Sequence, residues 1–195
     1  MLAQLEKYAL LNNIPIIKPE GIAFLTEYIG KNNIKDILEI GSAIGYSAIK
    51  MALVSNDIKI VTIERDIKRY EKAVFNIEKF NLTKQITIIL NDAFDVYLNT
   101  KFDLIFIDAA KAQNIKFFEK FMINLKPKGV IITDNLSFHG LVHGDKLGLS
   151  KNVLGMVLKI EKYIDFLNNN ETYQTTFLPI GDGLSISRKK EVNEN

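Results

Sequence analysis

The chain has 195 residues, of which 47% are hydrophobic and 25% are charged, and its formal net charge is +2. This composition is typical of one globular domain, residues 1–195, and so small a net charge does not by itself indicate nucleic-acid binding. The sequence contains no cysteine, which excludes disulfides, thiolate metal ligands and a cysteine nucleophile.

The N-terminal segment has the pattern of helices rather than of a targeting sequence. It begins MLAQLEKYALLNN, which contains an acid and lacks the basic-then-apolar order of a signal peptide. Helices are predicted at Leu2–Leu11 and Pro19–Tyr28, within an N-terminal region of residues 1–33. No apolar run approaches the roughly 18 residues that span a membrane, so we expect a cytoplasmic protein with no membrane association. The apolar first helix is consistent with a homodimer, although Leu2 and Leu5 could instead cover the chain's own sheet.

Strand-like runs then alternate with amphipathic helix-like runs, up to a polar tail at residues 190–195 that we expect to be flexible. Several strand-like runs are almost continuous in Ile, Leu, Val and Phe, as in strands covered on both faces. The last two are joined only by Ile180–Gly183, which is too short for a helical crossover and predicts an antiparallel hairpin. The predicted fold is therefore α/β: a Rossmann-like, doubly wound, mostly parallel seven-stranded sheet with a C-terminal antiparallel hairpin and helices on both faces. The predicted strands are Asp36–Ile40, Lys59–Ile63, Ile86–Leu90, Phe102–Ile107, Gly129–Thr133, Gln174–Pro179 and Leu184–Arg188, and the later helices Ile67–Phe80, Ala112–Leu125 and Lys146–Asn170.

A glycine-rich turn follows the first strand in the stretch ILEIGSAIGYSAIKMA. Gly41 and Gly45 allow the backbone to turn sharply and approach a ligand, and the helix-like pattern that follows offers free N–H groups. The glycine spacing differs from the G-x-G-x-x-G of dinucleotide-binding folds and from a Walker loop. Glu39, just before the turn, would repel a diphosphate but could orient an ammonium group.

Acidic residues also end the next two strands. Glu64 lies where an acid can accept hydrogen bonds from ribose hydroxyls, and Asp92 and Ala93 lie where an adenine could bind. An amino-acid head, a ribose and an adenine without phosphates describe S-adenosyl-L-methionine. The alternative is that these acids are merely solvated strand ends, but three acids in register after successive strands favour the cofactor.

These residues resemble those of the Rossmann-like S-adenosylmethionine-dependent methyltransferases, over about Ile14 to Lys190. In that class the glycine turn surrounds the methionine part of the cofactor, the acid after the second strand binds the ribose, and the backbone near Ile17 closes over the ligand. The resemblance implies a cofactor site made of Ile17, Glu39, Gly41, Ser42, Gly45, Tyr46, Ser47, Glu64, Arg65, Asp92, Ala93 and Asp108.

Oxygen ligands follow the fourth and fifth strands, where Asp108, Asp134 and Asn135 are expected to be neighbours at the carboxyl edge of the sheet. Two carboxylates and an amide suit Mg²⁺ or another divalent cation, and zinc is less expected because there is no cysteine. Such a cation lowers the pKa of an acceptor hydroxyl. Lys111 could take the hydroxyl proton, the alternative being a solvated lysine at a helix start.

Asp108, Lys111, Asp134 and Asn135 together resemble the cation-dependent catechol and caffeoyl-coenzyme A O-methyltransferase group. The resemblance implies a metal held by Asp108, Asp134 and Asn135, with Lys111 and Asp108 catalytic. One departure is Ala110, where members acting on plant phenols usually carry an acid.

Within that group, EIGSAIGYSAIKMA, FIDAAKAQ, GVIITDNLSFHGLV and PIGDGLSISRKK most resemble the bacterial tRNA 5-hydroxyuridine methyltransferases. The resemblance implies that the partner is the tRNA anticodon loop, whose wobble 5-hydroxyuridine would become 5-methoxyuridine. The alternative acceptor is a small catechol-like phenol. A non-catalytic nucleotide-binding module and a dehydrogenase are further rivals, and the glycine spacing together with the metal-like cluster disfavours the dehydrogenase.

Recognition of an RNA base would need a stacking ring and cations around the pocket. The candidate substrate residues are Lys18, Phe138 and His139, and Tyr46 could either stack on a base or pack inside. Further cations expected near the carboxyl edge are Lys111, Lys116, His143, Lys146, Lys151 and Arg188 to Lys190.

Overall fold

The computed structural model describes residues 1–138, 140–142 and 144–191. Two helices, α1 (Leu2–Leu11) and α2 (Pro19–Lys31), precede a regular alternation of strands and helices. The strands are β1 (Asp36–Ile40), β2 (Lys59–Glu64), β3 (Ile86–Leu90), β4 (Phe102–Ile107), β5 (Leu125–Thr133), β6 (Tyr173–Leu178) and β7 (Leu184–Lys189). The remaining helices are α3 (Tyr46–Ala52), α4 (Ile67–Lys79), α5 (Asn114–Phe121) and α6 (Lys151–Asn168).

The seven strands form one sheet in the order β3-β2-β1-β4-β5-β7-β6. The five strands β1 to β5 are parallel, and β7 pairs antiparallel with both β5 and β6. The predicted fold class, including the C-terminal hairpin, is therefore confirmed. The order reverses at β1 and β4, so the carboxyl ends of these two strands flank the point where ligands bind in doubly wound sheets.

Both faces of the sheet are buried. Successive side chains along a strand point to opposite faces, so alternate residues belong to different cores. Ile37 and Phe106 lie in the core formed with helices α1 to α3, whereas Leu38 and Ile105 lie in the core formed with α5 and α6. These four side chains are fully buried. The near-continuous apolar sequence of the strands thus reflects two cores rather than one.

Four predicted elements differ in extent from the structure by three residues or more. Helix α2 continues to Lys31, three residues beyond its predicted end at Tyr28. The helix predicted at Ala112–Leu125 is shorter, because 3-10 turns precede and follow α5. The last helix begins at Lys151 rather than Lys146, since the Ser150 side chain accepts a hydrogen bond from the Val153 amide and caps the helix. Strand β5 begins four residues before the predicted start, with a register irregularity in its pairing with β4. Of the tail expected to be flexible, residues 192–195 lie outside the described part of the chain.

Helix α1 buries one face against the chain itself. Leu5 and Ala9 belong to the core, and Leu2 packs partly against it. Leu10 and Leu11, on the other side, are 78% and 70% exposed. The homodimer stays a prediction. No helix in the described ranges combines the length and apolar character that crossing a membrane requires.

Candidate active site

A cavity of about 300 Å³ opens at the carboxyl edge of the sheet, above the ends of β1, β2 and β4. The segment Pro15–Ile17, which connects α1 to α2, lines it from the other side. Of the residues predicted to hold the cofactor, all except Glu39 and Gly45 line this cavity: Ile17, Gly41, Ser42, Tyr46, Ser47, Glu64, Arg65, Asp92, Ala93 and Asp108. The sequence therefore located the cavity, and binding of the cofactor by these residues stays a prediction at this point.

The backbone after β1 lies so close to the backbone after β4 that position 41 needs a glycine. Gly41 has a positive φ of 96°, and a Cβ at this position would lie 2.5 Å from the carbonyl oxygen of Asp108. A side chain would thus meet rigid backbone as well as an unfavourable dihedral angle.

We expect Gly41→Ala to lower the free energy of unfolding by about 2–4 kcal/mol and to abolish ligand binding in the cavity, because the turn must move. Gly155→Ala is the matched control: a Cβ there meets nothing within 4 Å in the middle of α6. This control should be neutral or stabilising by about 0.5–1 kcal/mol, since alanine favours helix. Urea unfolding of both variants measures the difference, and equal stabilities would contradict the steric argument.

Glu39 lies behind the cavity wall rather than on it. Its two carboxylate oxygens accept hydrogen bonds of 2.5 Å from the hydroxyls of Ser47 and Thr62, and its side chain is fully buried. Burial raises the pKa of Glu39 to about 7, although the bonds from Ser47 and Thr62 oppose the shift. In this arrangement Glu39 orients Ser47, which does line the cavity, and a direct contact with the ligand stays a prediction.

The raised pKa of Glu39 makes stability depend on pH. The unfolded chain releases this proton near pH 4.5, whereas the folded protein retains it up to about pH 7, so stability falls as the pH rises between these values. Glu39→Gln cannot titrate and should therefore lose about 3 kcal/mol less than the wild type from pH 4 to pH 8. Urea unfolding across this range, with the exposed Glu119→Gln as control, tests the expectation, and parallel pH profiles would contradict it.

Glu64 is held towards the glycine turn. Its carboxylate accepts hydrogen bonds of 2.9 Å from the backbone amides of Ala43, Arg65 and Asp66. These bonds fix the side chain at the cavity wall, and its remaining lone pairs can accept hydrogen bonds from ligand hydroxyls.

A pair of rings that the sequence analysis did not identify closes one end of the cavity. Phe94 and Phe117 stack with ring centroids 4.8 Å apart, and both line the cavity beside Asp92. Asp92 accepts a hydrogen bond from the Phe94 amide, and Arg65 lies 3.6 Å from its carboxylate. Phe94 could have been predicted to line the cavity, because it lies two residues after Asp92. Phe117 could not, because it reaches the cavity only through the packing of α5.

The three predicted metal ligands meet at the ends of β4 and β5. Ile107 pairs with Thr133 in this parallel pair, so the next residues, Asp108 and Asp134, lie side by side. The Asn135 side chain donates a hydrogen bond of 2.8 Å to Asp108, and its backbone amide donates one of 2.7 Å to Asp134. The strand register thus brings the two carboxylates and the amide together as expected.

Burial raises the pKa of Asp108 well above its usual range, and the neighbouring Asp134 carboxylate raises it further. Burial likewise raises the pKa of Asp134, to about 6. Asp134 is buried, Asp108 is half-buried, and the charge of Asp134 disfavours that of Asp108. This pair fits a hard divalent cation, which would offset both charges and take their oxygens as ligands. Among the described residues no three histidine or acidic side chains cluster as a metal site; the present set instead consists of two carboxylates and an amide.

Lys111 lies next to this cluster. It lines the cavity, and its charge lowers the pKa of both Asp108 and Asp134. Its Nζ lies 5.7 Å from the centroid of the Phe138 ring, at the cation–π distance. Phe138 has a positive φ of 46°, an uncommon conformation for an aromatic residue. His139 and His143 lie outside the described residues.

The other predicted cations divide into three groups. Lys116 and Lys151 are exposed, whereas Lys146 pairs with Glu161. The placement of Arg188 to Lys190 near the carboxyl edge was wrong, because β7 is antiparallel and Arg188 pairs with Val130 towards the opposite end. Arg188 there donates a hydrogen bond of 2.7 Å to the Tyr28 hydroxyl.

Tyr46 takes the second of the two arrangements considered for it and packs inside. Its side chain is buried, and its hydroxyl donates a hydrogen bond of 2.7 Å to Glu6 in α1.

Comparisons with known proteins find relatives that cover nearly the whole chain. A sequence model of the family described as O-methyltransferase matches residues 1–190. The chain is 28% identical over 196 residues to a caffeoyl-CoA O-methyltransferase of Populus kitakamiensis, which covers 96% of this chain and 83% of that protein. A Staphylococcus aureus protein provisionally designated a caffeoyl-CoA O-methyltransferase superposes with a TM-score of 0.93 at 40% identity, over 97% of this chain and 92% of that one. An O-methyltransferase of Bacillus cereus, solved with S-adenosylhomocysteine, superposes with a TM-score of 0.83 at 27% identity, over 97% and 90% of the two chains.

Proposed function

The chain belongs to the O-methyltransferase family, and from that membership we propose that it transfers the methyl group of S-adenosyl-L-methionine to a hydroxyl oxygen. The cavity supports this donor, because it joins the glycine turn, Glu64 and Asp92 in one continuous wall. The product S-adenosylhomocysteine is bound by the similar Bacillus cereus enzyme. The lack of cysteine disfavours methylation at carbon 5 of a uracil, since that reaction usually needs an enzyme thiolate that adds at carbon 6.

We propose that Asp108, Asp134 and Asn135 hold a divalent cation such as Mg²⁺ beside this cavity. The observation that carries the proposal is the 2.8 Å bond from Asn135 to Asp108, with Asp134 as the neighbouring buried carboxylate. When bound, the cation would supply positive charge that makes an acceptor hydroxyl more acidic.

The residues of the chain then have distinct tasks. Lys111 accepts the proton of the acceptor hydroxyl at Nζ. The oxygen electron pair left behind forms the new C–O bond as the C–S bond of the donor breaks, and S-adenosylhomocysteine leaves. Phe138 offers a ring against which a planar acceptor can pack, next to Lys111.

The acceptor that we propose is 5-hydroxyuridine at the wobble position of tRNA, with a small catechol-like phenol as the second candidate. Both place a hydroxyl next to a second oxygen on a flat ring, so both suit the same cluster. The sequence stretches that resemble the tRNA enzymes support the first candidate. The name of the Populus relative, an enzyme acting on caffeoyl-CoA, supports the second.

The test supplies purified protein with methyl-labelled S-adenosylmethionine, Mg²⁺ and one acceptor at a time. The acceptors are an anticodon stem-loop RNA with 5-hydroxyuridine at the wobble position, the same RNA with uridine, and catechol. Label in the hydroxyuridine RNA alone is the expected result. Label in catechol with none in RNA would establish the second candidate, and no label in either despite donor binding would contradict both acceptors.

A further inference from the structure

The turn between β6 and β7, Ile180–Gly183, lies between the first turn of α2 and the loop after β5, at the carboxyl edge of the sheet. A Cβ on Gly181 would lie 3.2 Å from the backbone nitrogen of Gly21 in α2. A Cβ on Gly183 would lie 2.8 Å from the backbone nitrogen of Ser137, in the loop that follows β5. Both glycines have positive φ, so the sequence Gly-Asp-Gly meets a steric need on each side of Asp182.

Asp182 ties this turn to the loop that carries the candidate metal ligands. Its side chain is only 2% exposed, and its Oδ1 accepts a hydrogen bond of 2.9 Å from the Ser137 hydroxyl. Its backbone carbonyl accepts one of 2.7 Å from the Ser137 amide, and the Gly183 carbonyl accepts one of 3.0 Å from the Leu136 amide. Residues 136 and 137 directly follow Asn135, so these bonds fix the end of the ligand cluster.

The same carboxylate also contacts Lys18, from the opposite wall of the site. Lys18 Nζ lies 3.4 Å from Oδ1 of Asp182, and the Lys18 side chain is 42% exposed. Lys18 directly follows Ile17, which lines the cavity. Asp182 also accepts the hydrogen bond from Ser137, two residues after Asn135, which places the pair close to the candidate metal site. None of the catalytic steps proposed above involves Asp182.

We propose that Asp182 is a positioning residue that orients Lys18 towards the acceptor and fixes the loop at Leu136–Phe138. It thereby sets the affinity for the acceptor rather than for the methyl donor. The proposal rests on the O-methyl transfer proposed above, since it concerns the acceptor side of that site. Asp182 acts through Lys18 and Ser137 and does not itself touch the reacting atoms.

Three substitutions separate the two contacts. Asp182→Asn keeps an oxygen that accepts from the Ser137 hydroxyl but removes the charge that holds Lys18. Asp182→Ala removes both contacts. Lys18→Met removes the cation and keeps a side chain of similar length.

We expect Asp182→Asn and Lys18→Met each to raise the KM for the acceptor about tenfold, with kcat and the Kd of S-adenosylmethionine within about twofold of the wild type. The double variant should be no more than about twofold worse than either single variant, because both remove one interaction. Asp57→Asn is the matched control, since it breaks an exposed pair of 3.2 Å with Lys35 before β1, at the other end of the sheet. The acceptor is whichever of the hydroxyuridine stem-loop and catechol the wild type methylates.

A second measurement does not depend on activity. Hydrogen exchange of the Leu136 and Ser137 amides should be about tenfold faster in Asp182→Ala and close to wild type in Asp182→Asn, because asparagine keeps the Ser137 contact. Additive effects of the two KM variants, an equal loss of donor affinity, or unchanged exchange in Asp182→Ala would each overturn the positioning role. A wild type that methylates neither acceptor would contradict the proposed function, and the exchange data would still decide whether Asp182 holds the loop.

Discussion

Replacing Asp134 with alanine is expected to lower the rate of methyl transfer by about a thousandfold or more, while the Kd of S-adenosylmethionine stays within a fewfold of the wild type. The reason is geometric. Asp134 lies at the end of β5 beside Asp108, whereas the cavity wall that would hold the donor is formed by residues after β1, β2 and β3. The substitution therefore removes a proposed cation ligand and leaves the donor wall intact.

The measurement is single-turnover methyl transfer together with donor binding by calorimetry. Asp165→Ala serves as the control, because this aspartate is exposed on α6 and has no contact with the site. Chelation of divalent cations with EDTA should mimic Asp134→Ala in the wild type, and adding Mg²⁺ should reverse the chelation but not the substitution. Transfer that survives both EDTA and Asp134→Ala would show that Asp108, Asp134 and Asn135 hold no essential cation.

The structure explains why the sequence could predict that Asp108, Asp134 and Asn135 lie close together. The proposed cation ligands Asp108, Asp134 and Asn135 directly follow strands whose apolar sequences are nearly continuous, and parallel neighbours end at the same edge. Once the strand order is known, the side chains after those strands have almost no freedom to lie elsewhere. The position of Glu64 could be predicted for the same reason, since it is the last residue of β2.

The parts that were missed depend on contacts distant in sequence. Asp182 touches Lys18 across 164 residues, and neither the charge nor the spacing of the two indicates the contact. Phe117 reaches the cavity only because α5 packs Phe117 against Phe94. Arg188 was misplaced for a related reason: an antiparallel strand reverses which of its ends is near the site, and the residues after β7 then lie at the far edge.

Glu39 illustrates a third category, in which the residue could be identified from the sequence but its hydrogen-bond partners within the protein could not. The strand pattern places it one residue before the end of β1, where an acid could face a ligand. Ser47 and Thr62 instead use both of its oxygens inside the core. A strand alternates its side chains between two faces, and the sequence alone does not decide whether the last acid faces the ligand or the helix behind it.

Replacing Lys111 with methionine is expected to lower kcat about a hundredfold, with little effect on the Kd of S-adenosylmethionine. Methionine keeps the length of the side chain and its packing near Phe138, but it accepts no proton and carries no charge. The charge of Lys111 also lowers the pKa of Asp108 and Asp134, so the loss of this charge alone would change the electrostatics of the site. A second variant is needed to separate these effects.

Lys111→Arg keeps the positive charge near Asp108 and Asp134, but a guanidinium does not act as a proton acceptor at neutral pH. If Lys111 is the base, the arginine variant should be nearly as slow as the methionine variant. If Lys111 acts only by its charge, arginine should restore most of the rate. Lys116→Met, at an exposed position on α5, controls for the loss of a lysine near the site. Near-normal turnover of Lys111→Met would contradict both the role as a base and the role of the charge. The hydroxyl proton would then pass to solvent, which requires that the acceptor oxygen is exposed to water.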